Sequence, residues 1–211
     1  NPADAATRAR LLESPGFGTI FGEHMVRIDY TAGSGWSRSV LQPYAPLLLQ
    51  PSTAVFHYAQ AAFEGLKAFR LADGGIGVFR PDANAARMNR SGARLAMPEL
   101  PVERFVEAVD ALVRADSGWV PSGDGQSLYI RPLMFATEEI LQVRPSTRFA
   151  FLVFDSPSGA YFSGGVKPVT VWISEDYSRA APGGTGYAKA SGNYAASLAA
   201  QLQAQEAGCD Q

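Results

Sequence analysis

Gly183-Gly184-Thr185-Gly186-Tyr187-Ala188-Lys189-Ala190-Ser191-Gly192-Asn193-Tyr194 sets one lysine among four glycines and a ring of small side chains. Glycine lets backbone approach another group closely, and Ala188, Ala190 and Ser191 give the amine room without a carboxylate to hold it as a surface ion pair. A lysine in that setting can lose its proton and condense with an aldehyde. Glycine loops also make ordinary turns, in which a lysine is simply solvated. A phosphate-binding loop is a third reading, but it needs Gly directly before Lys, where this chain has Ala188, and a dinucleotide fingerprint should open a helix after its first strand. The residues alone leave the first two readings open.

Outward from this loop, the chain divides into periodic segments. Asn193 to Ala207 is expected to be a helix that stops at Gly208, with Tyr194, Leu198 and Leu202 on one face. Val169 to Ser174 reads as a strand. The stretch Ser156 to Pro168 contains Pro157, Gly159, Gly164, Gly165 and Pro168, breaks both periodicities, and reads as an interdomain connection. Leu128 to Phe135 and Arg148 to Asp155 are expected strands, the second apolar on both faces and therefore central. Val102, Phe105, Val106, Val109, Leu112 and Val113 recur at helical spacing and predict an amphipathic helix that packs on a sheet.

Pro81 opens another helix, running to about Leu95 before Pro98 closes it. Leu66 to Leu71 and Ile76 to Phe79 form a hairpin around Asp73-Gly74-Gly75. Val26 to Tyr30 is the first strand and leads into a Gly/Ser turn from Thr31 to Ser37; the residues before it are Ala- and Pro-rich without strong periodicity. The expected fold is α+β / α/β: an N-terminal α+β domain over residues 1–155, a connection over 156–168, and over 169–211 the start of a second domain. One strand and one helix cannot bury a core, so a truncated C-terminal domain is expected, its remainder missing or a separate piece.

With 211 residues and 46% hydrophobic side chains the chain can bury a sizeable core. Eighteen basic against 20 acidic residues give a net charge of -2, which lacks the basic footprint of nucleic-acid binding. The apolar runs fall short of the ~20 residues that cross a bilayer, so neither nucleic acid nor membrane is an expected partner. A single cysteine, Cys209, leaves no internal disulfide, and no targeting segment is visible, so a cytoplasmic location is expected. His24 and His57 show no metal-ligand spacing, so no metal is expected.

Further segments accompany the lysine loop in order: His57-Tyr58-Ala59-Gln60-Ala61-Ala62-Phe63-Glu64-Gly65-Leu66-Lys67-Ala68-Phe69, Phe79-Arg80-Pro81-Asp82-Ala83-Asn84-Ala85-Ala86-Arg87-Met88, Leu128-Tyr129-Ile130-Arg131-Pro132 and Gly159-Ala160-Tyr161-Phe162. Together with Gly186 to Ser197 they resemble the fold-type-IV pyridoxal-phosphate enzymes of the class-IV aminotransferase family, branched-chain amino acid aminotransferases in particular. The resemblance runs from about Gly16 to Gln211.

It implies a two-domain fold and transamination of L-leucine, L-isoleucine and L-valine with 2-oxoglutarate by a ping-pong route, with pyridoxal 5'-phosphate as cofactor. Lys189 would hold the cofactor as an imine and act as acid and base. Arg87 would bind its phosphate, as a permanently charged planar fork suits phosphate oxygens, and Tyr194 its O3' oxygen. Tyr129 and Arg131 share a strand face and match pocket positions; Phe21, Phe63 and Tyr161 match aromatic wall residues, with Lys67 nearby. Tyr58, Leu141 and Val143 match residues that reach the other subunit's site, which implies a homodimer acting on amino acids and 2-oxo acids.

The chain departs from the family pattern at Gln142 and Ser191, where glycine is usual. The acid that pairs with the pyridine nitrogen would lie beyond Gln211. A D-amino-acid aminotransferase or pyridoxal-dependent lyase is the alternative within the fold, although the Arg-x-His pair of the D-specific enzymes is absent from this sequence. A non-catalytic binding fragment is the alternative outside it.

Overall fold

The computed structural model describes residues 3–160 and 168–211. In chain order the elements are α1 (Ala5–Glu13), β1 (His24–Thr31), β2 (Gly35–Trp36), β3 (Val40–Pro43), α2 (Ala54–Tyr58), β4 (Ala61–Phe63), β5 (Leu66–Arg70), β6 (Ile76–Val78), α3 (Pro81–Arg94), α4 (Val102–Ala115), β7 (Ser127–Ala136), β8 (Arg148–Ser158), α5 (Ser191–Ala195) and α6 (Leu198–Glu206). The strands form one eight-stranded sheet of order β2-β1-β8-β7-β5-β6, with β3 on β1 and β4 on β7. Every pairing in it is antiparallel.

β8 is central because it is apolar on both faces. Alternation sends Phe149, Phe151 and Val153 to one side, where they join Val26 and Ile28 of β1 and Phe105, Val109 and Leu112 of α4. Ala150 and Leu152 face the other way and pack with Ala61 and Phe135. The helical stripe expected between Val102 and Val113 is the buried face of α4. α3 adds Ala85 and Met88, one turn apart. At the sheet's edge, β5 and β6 turn through Gly74 at φ 83°, a left-handed conformation that glycine adopts without steric cost.

Besides β3, α2 and β4, which no periodic segment announced, four features differ from the expected segmentation. The N-terminal residues contain α1, whose first turn is capped by Asp4 accepting from the Thr7 amide at 2.7 Å. β8 runs to Ser158, past Asp155, because Ser156, Pro157 and Ser158 pair with Tyr129, Leu128 and Ser127. Its ladder with β1 has ended at Phe154, so this stretch has β7 alone beside it and tolerates Pro157. Val169 to Ser174 is not a strand: Val171 and Ile173 are exposed, and Thr170 and Trp172 bond instead to Asp210 and Gln211. Strand propensity expresses packing on a pleated surface, and none lies under this segment among the described residues. The long C-terminal helix is two short ones. Ser197 breaks it by bonding the Tyr194 carbonyl with its hydroxyl at 2.8 Å, and Gly208 at φ 73° ends the second.

Phe151 is fully buried and its ring lies 5.6 Å from that of Phe105, joining sheet to helix at the centre of the core. Phe151→Ala is expected to lower unfolding free energy by about 3–5 kcal/mol, measured by denaturant titration; a loss under about 1 kcal/mol would show that this contact does not anchor α4.

Candidate functional site

Lys189 is fixed first by its backbone. Its amide donates to Ser91 Oγ of α3 at 2.9 Å, its carbonyl accepts from the Phe63 amide at 3.1 Å, and Ala190 bridges to Ala62 of β4. The glycine loop before it is tied to α5 by Asn193, whose side-chain amide donates to the Thr185 and Ala188 carbonyls, each at 2.8 Å, while Thr185 Oγ1 donates to Asn193 Oδ1 at 2.7 Å. Gly186 is required by contact: a Cβ there would sit 2.3 Å from that of Ala180.

The side chain then enters an aromatic corner. Lys189 Nζ donates to Tyr194 Oη at 2.9 Å and stands 4.8 Å from the centre of the Phe63 ring. The rings of Phe63 and Tyr194 are 4.7 Å apart. The Arg131 guanidinium also lies over Phe63, 4.7 Å from the ring centre, and Arg131 Nη2 donates to Tyr129 Oη at 3.0 Å. Tyr129 and Arg131 thus share a face as strand alternation requires. Gly65 makes room for them, since a Cβ on it would lie 2.3 Å from the Tyr129 hydroxyl.

Arg87 belongs to the same corner through a residue that the sequence reading did not single out. Glu64, completely buried, accepts two parallel bonds from Arg87 Nε and Nη2, each at 2.7 Å, and a third from Asn84 Nδ2 at 2.9 Å. The bond to Glu64 raises the Arg87 pKa, and Tyr194 adds a smaller push in the same direction. The pair fixes one edge of the guanidinium, while 49% of the Arg87 side chain remains exposed.

Phe21 is set apart from Lys189 but joins Tyr129 and Arg131 in lining a cavity of about 320 Å³, with Phe17, Tyr44 and Phe154. Lys67 stands opposite Tyr129 in the β5–β7 ladder. Tyr58, Leu141 and Val143 form a second, outward group: the Tyr58 hydroxyl donates to the Leu141 carbonyl, and all three are exposed. Their loop, which includes Gln142, is clamped by Glu138. Its carboxylate takes Arg144 Nη2 at 2.7 Å, the Thr147 amide at 2.6 Å and Thr147 Oγ1 at 2.9 Å. These bonds, that of Arg144 foremost, hold the Glu138 pKa at about 2. Tyr161 lies outside the described residues.

No family model matches the sequence. Among curated proteins the chain is 56% identical, over its whole length, to the branched-chain-amino-acid aminotransferase of Mycolicibacterium smegmatis, of which it covers 58%. It is 57% identical, again over its whole length, to the probable branched-chain-amino-acid aminotransferase of Streptomyces coelicolor, covering 59% of that protein. With branched-chain-amino-acid transaminase 1 of Bacillus subtilis the identity is 49% over 94% of the chain and 56% of the relative. The chain therefore spans under three fifths of the length of these relatives. Among solved structures, the branched-chain amino acid aminotransferase of Thermobaculum terrenum in its PLP-form superposes with a TM-score of 0.65 at 21% identity, covering 90% of this chain and 57% of that one. The enzyme of Thermoproteus uzoniensis with norvaline gives 0.67 at 21% identity, over 88% and 58%. Both are likenesses of fold.

Two outcomes follow from the carboxylates. Arg87→Ala leaves Glu64 buried without its counter-charge and is expected to cost about 3 kcal/mol of stability, most of it recovered when Glu64→Gln is added; denaturant titrations that find no such recovery would refute the pairing. Glu138→Gln is expected to cost about 2 kcal/mol at pH 7, after allowance for screening by solvent. Because the folded-state pKa of Glu138 is depressed, that contribution is complete above the ordinary value of 4.5 and disappears as pH falls through about 2. The gap between wild type and variant should accordingly narrow below pH 4.5, and a gap that ignores pH would contradict the assignment.

Proposed function

We propose that this chain, 49% to 57% identical to branched-chain-amino-acid aminotransferases, exchanges amino groups between L-leucine, L-isoleucine or L-valine and 2-oxoglutarate, with pyridoxal 5'-phosphate bound at Lys189. The observation that carries the reading is the Lys189 amine, 2.9 Å from the Tyr194 hydroxyl and beside the Phe63 ring. The residues fit the cofactor: a backbone-fixed amine for an aldehyde, a phenol for a ring oxygen, and a half-exposed guanidinium, oriented by Glu64, for a phosphate. The bound cofactor supplies an electron sink that makes the substrate Cα proton removable.

The chain's own side chains do the rest. Lys189 Nζ is the base that receives the Cα proton, and Tyr194 keeps it aimed by the hydrogen bond between them. Phe21, Tyr44 and Phe154 exclude water from the neighbouring cavity, which favours an aliphatic side chain. Arg131, braced on Tyr129 and Phe63, offers a fixed cation for a carboxylate. Tyr161 is assigned to the same wall by resemblance alone.

We assign the exposed group Tyr58, Leu141 and Val143 to the partner's site in a homodimer, its loop held in shape by Glu138 and Arg144. The division into residues 1–155, 156–168 and 169–211 is retained as the domain scheme, with β8 crossing its first boundary. No helix among the described residues is long and apolar enough to cross a membrane, and the cytoplasm is the compartment we propose.

Borohydride reduction of the full-length protein loaded with pyridoxal 5'-phosphate, followed by peptide mass mapping, is expected to place the adduct on Lys189. Lys189→Ala should lower transamination of leucine by at least ~10³-fold, since base and anchor are lost together, with the unfolding transition unchanged. An adduct on another lysine, or a Lys189→Ala protein as active as the wild type, would end the proposal.

A further inference from the structure

On the helix-covered side of the sheet, away from the lysine corner, three potential metal ligands converge, with a fourth acid beside one of them. Glu23 and His24 lead into β1, Asp116 caps the C-terminus of α4, and Asp155 belongs to β8. One ligand atom each from Glu23, His24 and Asp116 lie within 4.8 Å of one another. His24 Nδ1 is 2.6 Å from Asp116 Oδ1, and the His24 amide donates to Asp116 Oδ2 at 3.0 Å, so both residues are held in place.

Asp155 is the independent sign that something is bound here. It is 1% exposed, and neither carboxylate oxygen has a hydrogen-bond partner among the described residues. A buried carboxylate with no partner is expensive, and this one stands beside Asp116. The point where a Cβ on Gly22 would stand is 2.0 Å from Asp155 Oδ1 and 2.5 Å from Asp116 Oδ2, so the two acids meet over a residue with no side chain. Arg8, 3.4 Å from Glu23, offsets part of the negative charge at the outer end. A cavity of about 480 Å³ lined by Phe21, Glu23, His24, Tyr44 and Trp119 leads to the group from outside.

We propose that Glu23, His24 and Asp116 bind one divalent transition-metal ion, of the Mn²⁺ or Zn²⁺ class, whose charge the buried Asp155 beside Asp116 helps to balance. Two carboxylates with one imidazole and no thiolate are hard-to-borderline donors, which suit those ions better than copper(I) or an iron–sulfur cluster. The ion fixes the approach to β1 against the end of α4 and against β8, and it neutralises the charge that Asp155 and Asp116 would otherwise bring together. Its role is structural, and it stands apart from the transamination proposed for Lys189.

The test uses the full-length protein, stripped with a chelator, dialysed, and titrated with MnCl₂ while free Mn²⁺ is read by electron paramagnetic resonance. One Mn²⁺ per chain is expected, displaced by ZnCl₂, and affinity should fall at least tenfold in both Asp155→Asn and Glu23→Gln. Mn²⁺ should also raise the melting temperature of the wild type and leave that of Asp155→Asn unmoved. Absence of saturable binding by either ion, or binding equally tight in the two variants, would overturn the proposal. A cluster held together by a shared proton alone gives that overturning result, with Asp155→Asn more heat-stable than wild type in the presence of chelator.

Discussion

The β7–β8 ladder is the constraint on which the rest of this structure depends. Its register, from Ser127 opposite Ser158 to Ala136 opposite Phe149, is fixed because a slip of one residue would carry Phe149, Phe151 and Val153 out of the helix-covered core. β1 is then added to the outer side of β8, and β4 and β5 to the outer side of β7. Tyr129 and Arg131 inherit their common face from this register, and Phe63, opposite Leu133, inherits its place beside them.

The lysine corner is assembled on that edge by a short chain of polar bonds. Between the ends of β4 and β5, Glu64 turns inward and accepts Arg87 and Asn84 from α3, joining helix to sheet across this edge. One residue earlier, Phe63 uses its amide to hold the Lys189 carbonyl and its ring to stand beside the amine. Ser91, one turn beyond Arg87 on α3, holds the Lys189 amide. Phe63 at the end of β4, Glu64 just after it, and residues of α3 thus position the cationic groups, and the pieces brought together lie about a hundred residues apart in sequence.

Much of the frame was legible where period and punctuation agree. The stripe of α4, the Asp73-Gly74-Gly75 hairpin and the all-apolar β8 each carry a repeating pattern that only one kind of packing satisfies. The lysine loop was visible by composition, and the alternation of Tyr129 with Arg131 by strand period. Val169 to Ser174 misled because β-branched residues report a fitness for sheets without saying whether a sheet is beside them. The break at Ser197 turns on one hydroxyl choosing a carbonyl, and nothing in the pattern of apolar residues encodes that choice. Glu64 was hidden for a different reason: a lone acid between Phe63 and Gly65 has no periodicity, and its partner Arg87 is set by the fold. His24 and Asp116, 92 residues apart, were invisible to any search by local spacing.

β8 joins these buried acids to the cavity, which Asp155 lines beside Phe154. Phe154 and Asp155 are successive residues and so point to opposite sides of the sheet. On one side Phe154 lies 6.2 Å from the Phe21 ring, which stacks on Tyr44 at 5.2 Å to form a wall of the cavity beside Tyr129. On the other, Asp155 and Asp116 close over Gly22, the residue next to Phe21, while the Gly22 amide donates to the Asp155 carbonyl at 3.1 Å and the Tyr44 amide to the Glu23 carbonyl at 2.8 Å. Both aromatic rings therefore depend on the segment from Phe21 to His24, and that segment is located by the acids behind it. A side chain at Gly22 would strike both carboxylates, so the backbone there cannot shift to accommodate one without moving Phe21 as well. The acids that meet over Gly22 thus help to set the shape of the cavity that Phe21 and Tyr44 line.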